Sequence, residues 1–374
     1  MPEHKDILSD LDSRLPIDKK LLAIHRVLKQ HLDFIDRVAV ALYDPKADSL
    51  KTFVSSSERP SPLVHYEARL ADVWSLRDIL ETGRPRVVDD LAIFGAEHLH
   101  TQKIRAEGFQ SSYTLPMYIG GHFFGFVFFN SFKKAAFTPN ILHQLDVFGH
   151  LVSLMVIHEI GQIQTLIAAV KSTRLMTHHR DPETGTHLDR MSGYAQLIAR
   201  HIAEQFGLSD EVIEYIFLFA SLHDVGKIGI PDRILLKPGN LNDEEAALMR
   251  THAAQGLNII DDLMADFGLA GFQHLDILRN IAQFHHETLN GTGYPNGLKD
   301  GDIPIEARIV AVADVFDALT SKRPYKEAWG NDEAFAALRK LAGIKLDADC
   351  VEALVSNRPA VEEIQQSFQE EFYA

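Results

Sequence analysis

The stretch HHETLNGTGYP, residues 285–295, sets two adjacent imidazoles and a carboxylate ahead of a glycine-rich turn that carries an exposed aromatic, Tyr294. A metal site is the first expectation. Upstream, HDVGKIGIPD (223–232) adds a second histidine with an aspartate beside it and a lysine three residues later. The surroundings of both clusters decide the fold of this half. DRMSGYAQLIARHIAEQF, DEVIEYIFLFASLHDVG, NDEEAALMRTHAAQGLNIIDDL, LDILRNIAQFHHE and IEARIVAVADVFDALTS all space their apolar residues by three and four, so the chain from 183 onward is expected to be all-α.

A chain of 374 residues exceeds one ordinary core, and two domains are expected. The net charge of −15 argues against a nucleic-acid polymer as partner, since duplex binding needs clustered Lys and Arg. A small anion held by a few local cations is compatible with it. The single cysteine, Cys350, excludes a disulfide framework and a thiolate zinc cage, so any metal must sit on nitrogen and oxygen. The N-terminus has no apolar signal region, and no uninterrupted apolar run reaches the roughly 18 to 20 residues that span a bilayer. A cytoplasmic protein without membrane contact is expected.

The N-terminal half mixes two periodicities. Residues 17–34 read as a helix, RVAVALYD (37–44) and LKTFVSSS (50–57) as strands joined by a PKAD turn, and RPRVVDDL (84–91) as another short strand. SYTLPMYIGGHFFGFVFFNSF reads as a hairpin turned by Gly120 and Gly121. An α+β domain with a mostly antiparallel sheet follows. FFGFVFF (123–129) has aromatics on both alternating faces, so this strand is expected to be covered on both sides, with plain core the stronger reading than a cofactor box. The order of hairpin and closing helix (AFTPNILHQLDVFGHLVSLMV) resembles a GAF sensory domain over residues 18–158, which implies a small-molecule ligand; no cysteine is available there for a covalent bilin. Val156, Ile160, Ile163, Ile167 and Val170 follow a 4,3,4,3 spacing, a seam of about two heptads that either packs on the second domain or forms a parallel dimer stalk. Asp181 and Pro182 read as the cap and first residue of a new helix. The expected boundaries are 1–158 for the sensory domain, 159–180 for a helical connector and 181–374 for the second domain.

Candidate ligands lie throughout that second domain. Glu183 and His187, four apart, share a helix face. His223 and Asp224 end an apolar helix, where a charged aspartate is costly unless paired or coordinated, and Lys227 is placed to neutralise a phosphoryl oxygen. His252, His285 and His286 follow. Asp314 sits in ARIVAVADVFDALT, so apolar that the aspartate is expected to be largely buried and coordinated or strongly hydrogen-bonded. These eight N/O donors are too many for one ion. Mixed imidazole and carboxylate ligation suits Fe, Mn, Zn or Co, and two ions about 3.5 to 4 Å apart match a clamp for in-line phosphoryl displacement. Asp224 is the candidate bridge.

Taken together, RDPETGTHLDR, HDVGKIGIPDRILLKPGNL, MRTH, HHETLNGTGYPNGL, IPIEARIVAVADVFDALTSKRPYKEA and GIKLDADCVEAL resemble the HD-GYP domain over residues 180–356. The resemblance implies an HD-superfamily helical fold and a phosphodiesterase of cyclic dinucleotides, chiefly cyclic di-GMP, with two or three divalent metal ions, Fe or Mn. It makes Glu183, His187, His223, Asp224, His252, His285, His286 and Asp314 metal ligands, with Glu183 pointing to a trinuclear site. His223, Asp224 and Lys227 would be catalytic. Arg323 and Lys326 resemble the family's phosphate-binding cations, and Tyr294 would stack on guanine, meet a protein partner or brace the site. Glu287 is expected to support the ligands from behind. Asn290 stands where Asp is common, and the stretch from His252 to His285 is longer than usual. The products would be linear pGpG, with onward cleavage to GMP left open, and the GAF-like domain would regulate the enzyme in a homodimer. Two alternatives stand beside this reading: a catalytically weak receptor that recruits a diguanylate cyclase, and a phosphodiesterase that prefers mixed cyclic GMP-AMP.

Overall fold

A computed structural model of the chain describes residues 6–13, 15–59, 61–95, 99–176, 185–268, 274–321 and 328–368. It forms two compact units, Met1–Gln162 and Ile163–Ala374.

The first unit is built on one antiparallel sheet of β1 (Arg37–Asp44), β2 (Ser49–Ser57), β3 (Glu67–Arg69), β4 (Arg86–Val88), β5 (Ser111–Ile119) and β6 (His122–Ser131), in the order β3-β2-β1-β6-β5-β4. Helices α1 (Ile17–His31), α2 (Trp74–Thr82) and α3 (Leu99–Ala106) accompany it. The β5–β6 hairpin turns at Gly120 and Gly121, whose φ values of 53° and 86° suit the tight turns that match strand twist. The strand expected over 84–91 is only three residues long, because Pro85 has no N–H for the ladder and Asp90 already caps the turn that follows, accepting from the Ala92 N–H. β3, α2 and α3 are short elements that periodicity did not isolate.

Both faces of β6 are covered. On one, Phe126 packs with Leu50, Leu76 and Ile79. On the other, a Cβ added at Gly149 would lie 2.6 Å from Leu115 Cδ2 and 3.5 Å from the Phe129 ring, so this glycine lets helix α4 (Pro139–Met176) lie close on the sheet. Gly125 is required for a different reason: its φ is 152°, and a Cβ would fall 2.1 Å from the Ala41 carbonyl oxygen, beside the bulge at Val40/Ala41.

Val156, Ile160, Ile163, Ile167 and Val170 of α4 are all buried in the single chain, while Val147 and Leu154 are exposed. Residues Pro139–Val170, which contain an 18-residue window with a mean hydropathy of 1.4, are long and apolar enough to cross a bilayer by length and composition. The expected cap at Asp181 and Pro182 lies outside the described residues.

Among the described residues the second unit is helical: α5 (Gly185–Phe206), α6 (Asp210–Ala220), α7 (Asp232–Leu235), α8 (Asp243–Arg250), α9 (His252–Asp266), α10 (Leu275–Phe284), α11 (Ile305–Thr320), α12 (Asn331–Leu341), α13 (Ala348–Val355) and α14 (Arg358–Ser367). Leu188, Met191, Tyr194, Ala195, Ile198 and Ile202 recur at helical spacing on α5 and are buried, with the Tyr194 ring 5.1 Å from Phe316 of α11. Each large side chain so buried contributes about 1.5–3 kcal/mol. The single helix expected from 242 to 263 is two. Asn242 opens α8 with a capping box completed by Glu245, and α8 stops at Arg250. There the Thr251 hydroxyl and His252 Nδ1 bond the carbonyls of Leu248 and Met249 at 2.7 and 2.8 Å, drawing the last turn away from a continuous ladder.

Candidate metal centre

Five elements of the second unit deliver the donors. His187 comes from the first turn of α5, His223 and Asp224 from the turn after α6, and His252 from the first residue of α9. His285 and His286 follow the end of α10, and Asp314 lies within α11. They gather into two groups, Asp224, His252, His285 and His286 in one and His187, His223 and Asp314 in the other, each with its ligand atoms within 4.8 Å of one another. The close approach of α9 depends on Gly226, where a Cβ would meet the His252 carbonyl oxygen at 1.9 Å.

Asp224 joins the two groups. Its Oδ1 lies 3.1 Å from His252 Nε2 and 3.6 Å from His285 Nε2, and its Oδ2 lies 3.1 Å from His223 Nε2 and 2.7 Å from Lys227 Nζ. Burial alone would raise the pKa of this carboxyl, but Lys227, His223 and His252 outweigh it and hold the pKa well below the ordinary carboxylate value.

The second nitrogens set the tautomers. His223, His252 and His285 each donate from Nδ1 to a backbone carbonyl three or four residues back, at Ala220, Met249 and Ile281, with distances of 2.8–2.9 Å. That leaves the lone pair on Nε2, turned toward Asp224. The Nε2 atoms of His252 and His285 and Oδ1 of Asp224 are buried without a hydrogen bond, although they lie close together. Buried polar atoms without partners are rare, and a cation shared among them would satisfy all three. Burial depresses the pKa of His285, and burial followed by repulsion from His285 depresses that of His286 still further. Both imidazoles are thus kept neutral, the form that ligates metal.

His187 is oriented by a carboxylate instead. Its Nδ1 lies 2.6 Å from Asp317 Oδ2, and Arg190 donates to both Asp317 oxygens at 2.7 and 3.1 Å. Ser321 adds a hydrogen bond of 2.8 Å. Burial opposes ionisation of Asp317, but His187 and Arg190 prevail and bring its pKa down to about 2. Here the structure corrects the sequence expectation: Asp314 is partly exposed, and the carboxylate buried in that apolar segment is Asp317, 0 % exposed. Three residues along a helix share one face but differ by a net rotation of about 60° and a rise of about 4.5 Å, so Asp314 stays at the rim of the site while Asp317 lies in the interior. Asp317 and Arg190 are the residues the sequence reading missed. A second aspartate in the same apolar run was the available signal.

Tyr294 is half-buried rather than exposed, its ring 4.7 Å from His286 with the Arg250 guanidinium 5.7 Å from its centroid. Burial and the nearby Asp224 charge raise its pKa. The buried Glu287 accepts from the N–H groups of Asn296 and Leu298 at 2.7 and 3.0 Å, so it ties down the loop that carries Tyr294. Gly293 allows this fold-back, since a Cβ would meet the His286 carbonyl oxygen at 2.5 Å. Asn290 Oδ1 accepts from Thr288, from the Thr292 hydroxyl and from the Thr292 N–H, at 2.8–3.2 Å. Glu183, Arg323 and Lys326 lie outside the described residues.

Residues 167–350 match the HD domain family and residues 17–156 the GAF domain family. The chain carries a GAF domain and an HD domain. The chain is similar to the cyclic di-GMP phosphodiesterase response regulator RpfG of Xanthomonas campestris, 46 % identical over 50 % of this chain and 46 % of the relative. It is also similar to the 3'3'-cGAMP-specific phosphodiesterase 2 of Vibrio cholerae, 38 % identical over 48 % of this chain and 32 % of the relative. The match thus spans less than half the length of either relative. The GAF domain/HD domain protein from Geobacter sulfurreducens is a similar solved structure, 14 % identical with a TM-score of 0.32 over 40 % of this chain and 96 % of that one. The HD domain takes its helical frame from α5–α14 and gathers seven of the expected donors, joined at Asp224.

Proposed function

We propose that the HD domain is a metal-dependent phosphodiesterase that opens cyclic di-GMP to linear pGpG, under the influence of the GAF domain. The observation that carries this reading is the pair of donor groups meeting at Asp224, with lone pairs held ready by backbone-anchored imidazoles. His187, His223, Asp224, His252, His285, His286 and Asp314 would hold two divalent ions, Fe or Mn, and Glu183 would help to hold a third. Ions so bound supply Lewis acidity to a phosphoryl oxygen and lower the pKa of a water. Lys227, beside Asp224, adds positive charge where negative charge develops on the phosphoryl group, and Arg323 and Lys326 would share in absorbing that charge. The half-buried Tyr294 ring, stiffened by His286 and Glu287, offers a face for a base. The activities named for the relatives above support the substrate class, and the cGAMP-specific relative keeps mixed cyclic GMP-AMP as a second substrate reading.

Anaerobically purified protein loaded with Fe or Mn is expected to convert cyclic di-GMP to pGpG, and His223→Ala and Asp224→Ala to abolish turnover. Tight binding without turnover under those conditions would instead establish a receptor. Competition between cyclic di-GMP and cyclic GMP-AMP distinguishes the two substrates.

A further inference from the structure

The C-terminal helix reaches the metal centre at one remove. α14 lies beyond residues 167–350, the stretch that matches the HD domain family, and it packs on α5. Val361 is fully buried, and Ile364 lies over Gly193, where a Cβ would come within 3.2 Å of Ile364 Cγ2. The side-chain amides of Gln365 and Asn331 exchange two hydrogen bonds of 2.9 Å. So seated, the helix delivers the carbonyl of its C-cap residue, Phe368, to Arg190 Nη1 at 3.1 Å. Carbonyls at a helix C-terminus lack partners within the helix and carry the negative end of its dipole, so a guanidinium suits them.

Arg190 is 7 % exposed and divides its fork. Nη1 takes Phe368, whereas Nε and Nη2 face Asp317 at 2.7 and 3.1 Å, and Nη2 also donates to Ser321 Oγ at 2.7 Å. A planar guanidinium held at one end has its other end aimed. Asp317 passes that aim to His187, whose Nδ1 lies 2.6 Å away. His223, His252 and His285 take their orientation differently, from carbonyls of their own turns.

We propose that α14 is a strut for one of the two donor groups. Through Phe368 and Arg190 it positions His187, and so governs the ion held by His187, His223 and Asp314 far more than the ion held by Asp224, His252, His285 and His286. This rests on the reading of these donors as metal ligands. Arg190 is a positioning residue, since it acts on the centre only through Asp317 and His187.

Ile364→Gly in the full chain removes the seat of α14 on α5 without touching a donor, and Ile364→Leu keeps it. In nuclear magnetic resonance of the metal-free chains, the Nδ1–H proton of His187 should exchange with water faster in Ile364→Gly than in the wild type or Ile364→Leu, while that of His285 stays as protected as before. Equilibrium dialysis against Mn(II) should show one stepwise affinity weakened by about tenfold in Ile364→Gly and the other unchanged to within about twofold. If Ile364→Gly does not fold, as judged by circular dichroism, Gln365→Ala, which removes the hydrogen bonds to Asn331, takes its place with the same pattern expected. A His187 proton as protected in the variant as in the wild type, or two ions weakened alike, would overturn the strut alone. A wild-type chain that takes up no Mn(II) would overturn the metal reading and the strut together.

Discussion

At the scale of single residues, the centre depends as much on groups behind the ligands as on the ligands. Asp317 serves two partners, the Arg190 guanidinium and the His187 ring. Asp317→Asn removes the negative charge while keeping the shape, and it takes the carboxylate away from the buried Arg190 guanidinium. A loss of about 3–5 kcal/mol in urea unfolding of the HD domain is expected. Metal affinity, measured by chelator competition, should fall by about 10–100-fold; an unchanged competition midpoint would separate Asp317 from the centre. His25 in the GAF domain gives a pH effect. Burial is the largest cause lowering its pKa below the ordinary imidazole value, and the neutral ring is held between Ser56 Oγ and the Ile35 carbonyl at 2.8 and 3.0 Å. Because its folded pKa is the lower one, the unfolded chain takes up the proton first as pH falls. The contribution of His25 is complete above a pH of roughly 6.5 and declines below it. His25→Gln should therefore flatten the acid side of the GAF stability profile followed by urea unfolding, and an unaltered slope would assign the effect elsewhere.

At the scale of elements, glycines decide which backbones may touch. Gly226→Ala would drive a methyl group into the His252 carbonyl oxygen, backbone against backbone, and is expected to cost more than about 4 kcal/mol and to release metal. Gly229→Ala meets only the movable end of Gln255, at 1.8 Å, and should cost less than about 1 kcal/mol. Parallel unfolding curves of the two variants check the contrast, and comparable losses would refute it. The same elements show what could be read from the sequence. The strand 37–44, the Gly120–Gly121 hairpin and the apolar faces of α5 and α11 announce themselves by period and turn residues, and the ligands by imidazoles and carboxylates where apolar helices end. What escaped depends on three dimensions. The break at Thr251 arises from side chains competing for two carbonyls, and the choice of Asp317 over Asp314 for burial from the face α11 turns inward. The burial of Arg37, held by Asn130 from β6, likewise depends on a strand far along the chain.

At the scale of the whole molecule, the two domains rest on different foundations. The GAF domain has a sheet with apolar side chains on both faces, whereas the HD domain gathers imidazole and carboxylate donors at its centre. Exhaustive chelation should therefore lower the melting temperature of the HD transition and leave that of the GAF domain in place, resolved by hydrogen exchange at peptides from each domain. Equal shifts in both would show that metal stabilises more than its own domain. The anchoring of the imidazoles has a consequence for how the centre comes into being. Three of them are aimed by carbonyls of their own turn, a geometry available as soon as a few residues coil, but His187 is aimed by Asp317, 130 residues farther along the chain. Closing so long a loop is slow compared with forming a turn. The centre is expected to mature in two stages during synthesis, with His187 waiting for α11 to leave the ribosome, so a chain truncated before α11 would carry histidines of correct tautomer and only part of a binding site.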